Sequence, residues 1–283
     1  MKKIDIHVHT MTTRMAHWKR ATPEELIEIY DKLGVEKAVI LPSVQQNEEA
    51  MEIVERYPDR FYWFCNIDPR MGRNLPDTDL SYFLEYYKSK GAKGVGEVTC
   101  NLYFDDPFVD NLFYHCEKTQ MPLLFHIGPQ IGNCYGLVDD LGLPRLEKML
   151  AKYPNLTVIG HSQPFWSEIS ADVNEKNRNS YPKGKVIPGR TVELLRKYPN
   201  LYGDLSPSAG SGFNAIARDP EFGYQFLEEF SDRILYGSDI CAPDNLLKLS
   251  KWLDDAVEDK KISRETYEKV CRKNALRILE GSV

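Results

Sequence analysis

The fold is decided by the stretch IDIHVH (Ile4–His9), in which β-branched residues alternate with polar ones. This alternation predicts a β-strand, because successive side chains of a strand point to opposite faces. The apolar residues then face one side of the sheet, and Asp5, His7 and His9 face the other. Two residues so spaced have Cα atoms about 6.6 Å apart, so the two imidazoles form a candidate clamp for one metal ion.

Seven further runs of this kind follow along the chain. Each short β-branched or aromatic run precedes turn residues and then a helical pattern, which is typical of repeated βα units around a parallel sheet. The clearest helix is predicted over 22–34 (TPEELIEIYDKLG), with Thr22 as its cap, Pro23 in its first turn and Gly34 at its end. The eight predicted strands are 4–8, 37–41, 61–66, 94–98, 122–126, 156–160, 201–205 and 234–238.

Eight strands that alternate with helices predict an α/β fold, a (β/α)₈ TIM barrel, rather than a doubly wound open sheet. The 283 residues contain no linker-like tract, and we expect one domain over 1–283. The connection 161–190 is much longer than a usual βα loop, and we expect it on the active-site face of the barrel. Further helices are predicted over 47–58 and 143–154, with two helical turns over 262–281.

The composition indicates which partners to expect. The chain has 36 basic and 42 acidic residues, a net charge of −6, which disfavours nucleic acid because such binding depends on neutralising phosphates. A small-molecule substrate is expected instead. No apolar run approaches the roughly 18 residues of a membrane span, and the charged start is no secretory signal, so a cytoplasmic protein is expected. The sequence is also compatible with a homo-oligomer.

Histidine and carboxylate side chains recur at the C-terminal ends of the predicted strands. Glu97 ends the fourth strand, His126 ends the fifth, His161 follows the sixth and Asp239 follows the eighth. These ends meet at one mouth of a barrel, where we expect them to join the pair on the first strand. Imidazole nitrogen and carboxylate oxygen are the ligands of a catalytic divalent ion that keeps one position open for water.

Several residues allow two interpretations. Glu97 either binds a metal or orients a histidine through that ring's other nitrogen. Asp5, which is predicted on the same face as the histidine pair, is expected to be structural rather than a ligand. His17 follows the first strand and is a candidate substrate contact. The six cysteines lack CxxC spacing and are expected to be reduced thiols rather than zinc ligands or disulfides.

The loops at the C-terminal ends of the predicted strands supply candidate substrate contacts. Basic residues in the long connection could meet a substrate carboxylate, although a run of charges is more often a solvated face. Aromatic residues and a Gly/Ser segment could line the pocket. The candidates are Arg178, Lys183, Lys185, Arg190, Tyr103, Trp166 and the segment 206–212.

Taken together, DIHVH, the strand-four glutamate, FH at 126, GH at 161 and GSD at 239 resemble the amidohydrolase superfamily over nearly the whole chain. The group it is most similar to is the amidohydrolase-related one that includes aminocarboxymuconate-semialdehyde decarboxylase. In the mononuclear branch the resemblance implies that one zinc ion is bound and that His161 stays free to act on substrate. The implied ligands of that ion are His7, His9, His126 and Asp239.

The strand-four residue Glu97 is also similar to the glutamate that bridges two ions in TatD-type hydrolases. That pattern implies one or two divalent ions, with Zn²⁺ expected and Mn²⁺ as an alternative. No lysine occupies the equivalent place on the fourth strand, so a carbamate bridge is not expected. With two ions, His7, His9 and Asp239 would hold the first, His126 and His161 the second, and Glu97 would be shared.

The resemblance implies a metal-dependent hydrolase that cleaves an amide, lactone or ester bond of a small substrate. Asp239 would take a proton from the attacking water and deliver it to the leaving group, and His161, when it is not a ligand, would stabilise charge on the carbonyl. Three alternatives stay open. They are a decarboxylase of a small unsaturated or aromatic acid, a TatD-like phosphoesterase, and a metal-binding barrel without activity.

Overall fold

A computed structural model describes residues 2–12 and 19–281 of the chain. All eight predicted strands are confirmed, with bounds that differ from the predicted ones by a few residues at either end. In chain order they are β1 (Lys3–Val8), β2 (Val35–Ile40), β3 (Phe61–Trp63), β4 (Val95–Val98), β5 (Leu123–His126), β6 (Val158–His161), β7 (Leu201–Asp204) and β8 (Ile234–Leu235).

Helices follow or connect these strands. Short 3₁₀ and π-helical turns at Val44–Gln46 and Lys269–Lys273 complete the helical structure of the described residues. The helices are α1 (Pro23–Leu33), α2 (Asn47–Arg56), α3 (Ser81–Ser89), α4 (Pro107–Thr119), α5 (Pro144–Lys152), α6 (Gln163–Ser167), α7 (Arg190–Lys197), α8 (Ser211–Ala217), α9 (Pro220–Glu229), α10 (Leu249–Glu258), α11 (Arg264–Glu268) and α12 (Asn274–Glu280).

Parallel pairing closes the strands into a barrel. One run is β1-β2-β3 and the other is β4-β5-β6-β7-β8. Two single parallel bridges join the runs: Cys65 pairs with Val95 beside β3 and β4, and Val8 pairs with Ile240 beyond β8. Backbone hydrogen bonds extend both seams. The predicted (β/α)₈ barrel is therefore confirmed.

The helix predicted over 22–34 shows how local sequence sets an element. The Thr22 hydroxyl accepts a hydrogen bond from the Glu25 amide, and the Glu25 carboxylate accepts one from the Thr22 amide, which is a capping box. Gly34 ends α1 in the left-handed conformation. The helices predicted over 47–58 and 143–154 are confirmed as α2 and α5. The prediction of two turns over 262–281 is wrong, because helical structure runs without a break from Arg264 to Glu280.

An apolar core fills the inside of the barrel. Its members come from six of the strands or directly follow them, and α12 adds Leu276 and Leu279 to the same cluster. A larger cluster lies between the strands and the surrounding helices. The strand residues of the inner core are Ile4, Ile6, Val39, Leu41, Tyr62, Phe64, Leu124, Ile159 and Leu235.

The predicted alternation of β1 does not hold along its whole length. Ile4 and Ile6 belong to the inner core, as regular alternation requires, whereas Val8 packs in the outer cluster. Asp5 faces outward, where the Tyr30 hydroxyl of α1 donates a hydrogen bond to its carboxylate. The prediction that Asp5 shares a face with the two histidines is therefore wrong.

A β-bulge explains this change of face. The pairing of β1 with β2 sets Asp5 against Ala38 and Val8 against Ile40, so three residues of β1 advance opposite two of β2. An extra residue in one strand shifts every later side chain to the opposite face. The bulge therefore turns the side chain of His7 to the inner face.

A comparable irregularity occurs in β4. Val95 pairs with Leu123 and Val98 pairs with Phe125, so three residues again lie opposite two. Gly96, between them, has φ +150, and a Cβ atom there would lie 2.7 Å from the Leu124 carbonyl oxygen. A side chain at this position would collide with the backbone of β5.

The long connection between β6 and α7 contains the five-residue helix α6 and an antiparallel bridge between Ser170 and Pro188. It lies at the C-terminal ends of the strands, as its place after β6 requires. None of the helices in the described part of the chain combines the length and the apolar composition that crossing a membrane requires.

The inner core should contribute strongly to stability. Ile159 is fully buried, so Ile159→Ala should lower the free energy of unfolding by about 2–5 kcal/mol through lost burial and the cavity left behind. Urea denaturation in the presence of a chelator measures this without a contribution from bound metal. Leu246, which is 68% exposed, gives the control Leu246→Ala, expected within about 0.5 kcal/mol of the parent. Equal losses for the two variants would contradict the assignment of the inner core.

Candidate metal centre

The six residues predicted as metal ligands converge at the C-terminal ends of the strands. They come from β1, β4, β5, β6 and the segment after β8, and their side chains are buried or partly buried. Two groups of three residues have donor atoms within 4.8 Å of one another and could each hold an ion. The first is His7, His9 and Asp239, the second is His7, Glu97 and His161, and His126 belongs to neither. The six residues are His7, His9, Glu97, His126, His161 and Asp239.

The first group lies where β1 meets the segment after β8. The Nε2 atoms of His7 and His9 are 3.1 Å apart. Asp239 Oδ1 lies 3.6 Å from His7 Nε2 and 3.4 Å from His9 Nε2. The Asp239 amide donates a hydrogen bond to the His7 carbonyl at 2.8 Å, so the closure of the barrel itself places the carboxylate beside the two rings.

Glu97 lies between the first group and the histidines of β5 and β6. Its Oε1 atom is 2.7 Å from His126 Nδ1 and 3.7 Å from His161 Nε2. Its Oε2 atom is 3.6 Å from His9 Nε2 and 3.9 Å from His7 Nε2. The carboxylate therefore turns one oxygen to each pair of histidines.

Asp204, at the end of β7, is a residue of the site that the sequence analysis missed. It is fully buried, and its Oδ2 atom is 2.7 Å from His7 Nδ1 and 3.3 Å from His161 Nδ1. The Ser206 hydroxyl donates a hydrogen bond to the same oxygen. The sequence contained a signal for it, because LYGD places a carboxylate near the end of the predicted strand 201–205, much as YGSD places Asp239 just after the strand 234–238.

Gly237 provides the space that Asp204 needs. A Cβ atom at this position would lie 2.0 Å from Asp204 Oδ1. The glycine of the GSD motif therefore has a steric role: it lets the carboxylate of β7 pack against the backbone that follows β8.

The hydrogen bonds of the two β1 histidines decide which nitrogen faces the cluster. His9 Nδ1 lies 2.8 Å from the Leu41 carbonyl, which can only accept, so this nitrogen carries a proton and donates. His7 Nδ1 faces the Asp204 carboxylate and donates to it in the same way. With their Nδ1 atoms occupied in this way, both rings turn Nε2 toward the cluster, and the two Nε2 atoms lie 3.1 Å apart. Imidazole nitrogens beside carboxylate oxygens are the donors of catalytic divalent ions, so these residues fit such an ion.

The carboxylates of the cluster are ionised. Burial opposes this, but the charge of His126 and its hydrogen bond hold the pKa of Glu97 well below its usual range. In Asp239 the charge of His7 likewise outweighs burial and lowers the pKa. Both side chains therefore offer negatively charged oxygen at neutral pH.

His161 holds its proton more tightly than an ordinary histidine. Burial lowers its pKa, but the hydrogen bond to Asp204 and the charges of that residue, Glu97 and Asp239 raise it to about 8. The ring is therefore largely protonated at neutral pH until a cation displaces the proton.

Asp5 connects the two strands that carry the first group. Its carboxylate accepts hydrogen bonds from the His7 amide at 3.0 Å, the Ser238 amide at 2.9 Å and the Tyr30 hydroxyl at 2.8 Å, and also from the Ser238 hydroxyl. It ties β1 to the residue before Asp239 without facing the cluster. The interpretation of Asp5 as a structural residue agrees with this geometry.

Two of the residues predicted to contact substrate are buried in the protein interior and do not line the mouth of the barrel. Arg178 is buried, with Nε 2.8 Å from a Glu168 oxygen and Nη1 donating to the Asp139 carbonyl. Trp166 is fully buried, and its indole nitrogen donates to the Asp204 carbonyl at 2.7 Å. The prediction that Trp166 lines the pocket is wrong, because its ring packs under β7.

The remaining candidates divide between paired and exposed positions. Lys185 pairs with Asp219, and Arg190 pairs with Glu147. The segment 206–212 is not a plain flexible turn, since it contains the Ser206 hydroxyl of the site and the start of α8. Three others are Lys183, which is exposed, Tyr103, whose ring lies 4.6 Å from the Arg145 guanidinium, and His17, which lies outside the described residues.

Comparison with protein-family models gives one match, to the family described as Amidohydrolase, over residues 4–281. A comparison with curated protein sequences gives no match. The match to the family model covers all six predicted ligand residues and Asp204.

Solved structures share the fold at low sequence identity. The probable 2-pyrone-4,6-dicarboxylic acid hydrolase of Acinetobacter baumannii, with citric acid bound, is 14% identical at a TM-score of 0.60, covering 99% of each chain. The dihydroxybenzoic acid decarboxylase of Polaromonas, with manganese and 2-nitroresorcinol bound, is 15% identical at 0.61, covering 99% of this chain and 97% of that one. The 5-carboxyvanillate decarboxylase of Sphingomonas paucimobilis is 16% identical at 0.59, covering 98% of each.

The partner carboxylate of His7 and His161 should affect metal affinity. Asp204→Asn keeps the shape of the side chain but removes its charge, so Zn²⁺ or Mn²⁺ affinity should fall about 10- to 100-fold. Competition with a chromophoric chelator measures the affinity, and circular dichroism checks the fold. Asp244, whose side chain is 73% exposed, supplies the control Asp244→Asn. Unchanged affinity in Asp204→Asn would remove Asp204 from the site.

Metal affinity should also depend on pH. As a ligand, His161 would have to give up its proton to the cation, so Mn²⁺ affinity should rise about tenfold per pH unit between about pH 6 and 8 and level off above the pKa of about 8. Chelator competition at four pH values measures this. His115, a buried histidine of α4 that is hydrogen-bonded to Ser81, supplies the control. In His115→Asn, Mn²⁺ affinity should depend on pH as it does in the wild type. An affinity that is flat over this range would contradict the assignment.

Proposed function

The chain belongs to the amidohydrolase family, and from this membership and the geometry of the site we propose that it holds two divalent ions and hydrolyses an amide, lactone or ester bond of a small substrate. Membership establishes a metal-dependent enzyme of the superfamily. The hydrolytic reaction, the number of ions and the roles of individual residues are the proposal.

The position of Glu97 carries the proposal. One of its oxygens faces His7 and His9, and the other faces His126 and His161. A carboxylate placed between two sets of nitrogen donors suits a pair of ions that share it, and paired ions are well suited to activating water for hydrolysis. With a single ion, the oxygen that faces His126 would instead orient that ring through the hydrogen bond of 2.7 Å to its Nδ1 atom.

The ligands divide into two sets around this carboxylate. Nitrogen and oxygen donors of this kind accept Zn²⁺ or Mn²⁺, and the Polaromonas decarboxylase with the same fold binds manganese. When bound, the ions supply a water of lowered pKa and polarise an oxygen of the substrate. One set is His7, His9 and Asp239, the other is His126 and His161, and Glu97 belongs to both.

The protein side chains then have distinct tasks. The ionised Asp239 can accept the proton of the attacking water and return it to the leaving group. Asp204 turns the Nε2 atom of His7 toward the cluster by accepting a hydrogen bond from its Nδ1 atom. Its carboxylate also lies 3.3 Å from His161 Nδ1, which is 3.0 Å from the Ser206 hydroxyl. In this arrangement His161 is a ligand, and the charge-stabilising role predicted for it applies only to a site with one ion.

A decarboxylase of a small unsaturated or aromatic acid is the second candidate. Structures with the same fold include decarboxylases of hydroxylated benzoic acids. Decarboxylation needs a group that delivers a proton to carbon, and His161, with a pKa of about 8, could do so if only one ion is bound. The phosphoesterase alternative has less support, because the net charge of −6 disfavours polynucleotide substrates.

Metal content and product analysis test the proposal together. We expect the wild-type protein to bind two ions per chain and Glu97→Gln to bind the second at least about tenfold more weakly, because the shared oxygen is lost. Plasma emission spectrometry and calorimetry measure both quantities. The metal-loaded wild type should hydrolyse members of a panel of lactones, esters and amides, and removal of the metal should abolish this activity.

The controls separate the two candidates. Glu52, an exposed residue of α2, gives Glu52→Gln, in which stoichiometry and activity should match the wild type. One ion per chain, together with carbon dioxide release from a benzoic or dienoic acid, would replace hydrolysis by decarboxylation. Full activity of the metal-free protein would overturn both.

A further inference from the structure

Tyr135 lies over the candidate metal centre without belonging to it. Its ring centroid is 4.7 Å from that of His126, with the two planes inclined by 50°. The residue is nevertheless 61% exposed. One side of the phenol thus contacts the centre, and much of the rest is open to solvent at the mouth of the barrel.

The segment that carries Tyr135 is held in place by Asn101, which follows β4. The Asn101 side-chain oxygen accepts a hydrogen bond from the Gly132 amide at 2.6 Å, and its nitrogen donates to the Gln130 carbonyl at 2.9 Å and the Gly136 carbonyl at 3.3 Å. One amide therefore contacts both ends and the middle of the segment. This fixes the position of the exposed ring on a loop that would otherwise be free to vary.

The residues after Tyr135 form backbone hydrogen bonds with the end of β5. The Leu137 amide donates to the His126 carbonyl at 2.7 Å, and the Gly128 amide donates to the Leu137 carbonyl at 2.8 Å. These bonds close the loop between residues 128 and 137 that follows β5. Tyr135 is consequently anchored to the backbone of a predicted metal ligand.

The Tyr135 hydroxyl is available as a donor. No other described residue forms a hydrogen bond with it, whereas the Tyr181 hydroxyl accepts one from Gln163 Nε2 at 3.1 Å. A phenol carries its proton at neutral pH, so the hydroxyl can donate a hydrogen bond.

We propose that Tyr135 contacts the substrate: its ring forms one wall of the substrate cleft, and its hydroxyl donates a hydrogen bond to an oxygen of the substrate held at the centre. This inference rests on the proposed function, since it requires a substrate that carries an oxygen acceptor beside the ions. A donor aimed at such an oxygen stabilises the negative charge that develops on it during reaction. An aromatic wall favours a flat group over a puckered one of the same size.

The test uses two simple anionic probes, benzoate and cyclohexanecarboxylate, which carry the same carboxylate on a flat and a puckered ring. Calorimetry on the metal-loaded protein gives the dissociation constant of each. The wild type should prefer benzoate by about 2- to 10-fold. Tyr135→Phe should weaken both probes by about 2- to 10-fold through loss of the hydrogen bond and keep the preference, whereas Tyr135→Ala should remove the preference.

Tyr82, a 76% exposed tyrosine of α3, supplies the control Tyr82→Phe, which should bind both probes as the wild type does. Equal dissociation constants for benzoate in the wild type, Tyr135→Phe and Tyr135→Ala would overturn the proposal. Failure of the metal-loaded wild type to bind benzoate would overturn it as well.

Metal content is measured on every sample. It distinguishes a failure of the Tyr135 proposal from a failure of the proposed two-ion hydrolase. A wild type with fewer than two ions contradicts the two-ion hydrolase. Two ions together with probe affinities that do not respond to Tyr135 contradict only the role of Tyr135.

Discussion

The site depends on one buried carboxylate, that of Asp204, facing the Nδ1 atoms of His7 and His161. This interaction decides the tautomer of His7 and the orientation of both rings, so that their Nε2 atoms meet at the centre of the mouth. Asp204 is fully buried, and an ionised carboxylate in such a place is stable only with partners of this kind. The histidines and Asp204 therefore stabilise one another, and the same contacts prepare the nitrogen atoms for a cation.

Closure of the barrel provides the second constraint. The seam between β1 and the segment after β8 is formed by backbone hydrogen bonds, one of which joins the Asp239 amide to the His7 carbonyl. Asp5 strengthens this seam from the outside by accepting from the His7 and Ser238 amides. The first and last strands of the chain are thus joined at the point where their predicted metal ligands must meet, which links the stability of the fold to the geometry of the site.

Glu97 relates this geometry to the chemistry. It reaches both pairs of histidines because β4 carries an extra residue opposite β5, at Gly96, whose missing side chain allows the close approach of the Leu124 carbonyl. The number of ions, and with it the choice between hydrolysis and decarboxylation, depends on whether this carboxylate is shared. Tyr135, packed on His126, places an aromatic ring and a hydroxyl donor where a substrate would approach either arrangement.

The sequence by itself determined the eight strands, the capped helix α1 and the positions of His7, His9, Glu97, His126, His161 and Asp239 at strand ends, because these features depend on spacing between near neighbours. Only the tertiary structure decided that Asp5 and His7 face opposite sides, since a bulge is defined by pairing with β2. It alone showed the contacts of Asp204 with His7 and His161 and the burial of Arg178 and Trp166. His7 and Asp204 are 197 positions apart, and no local pattern can report a contact that exists only after the barrel has closed.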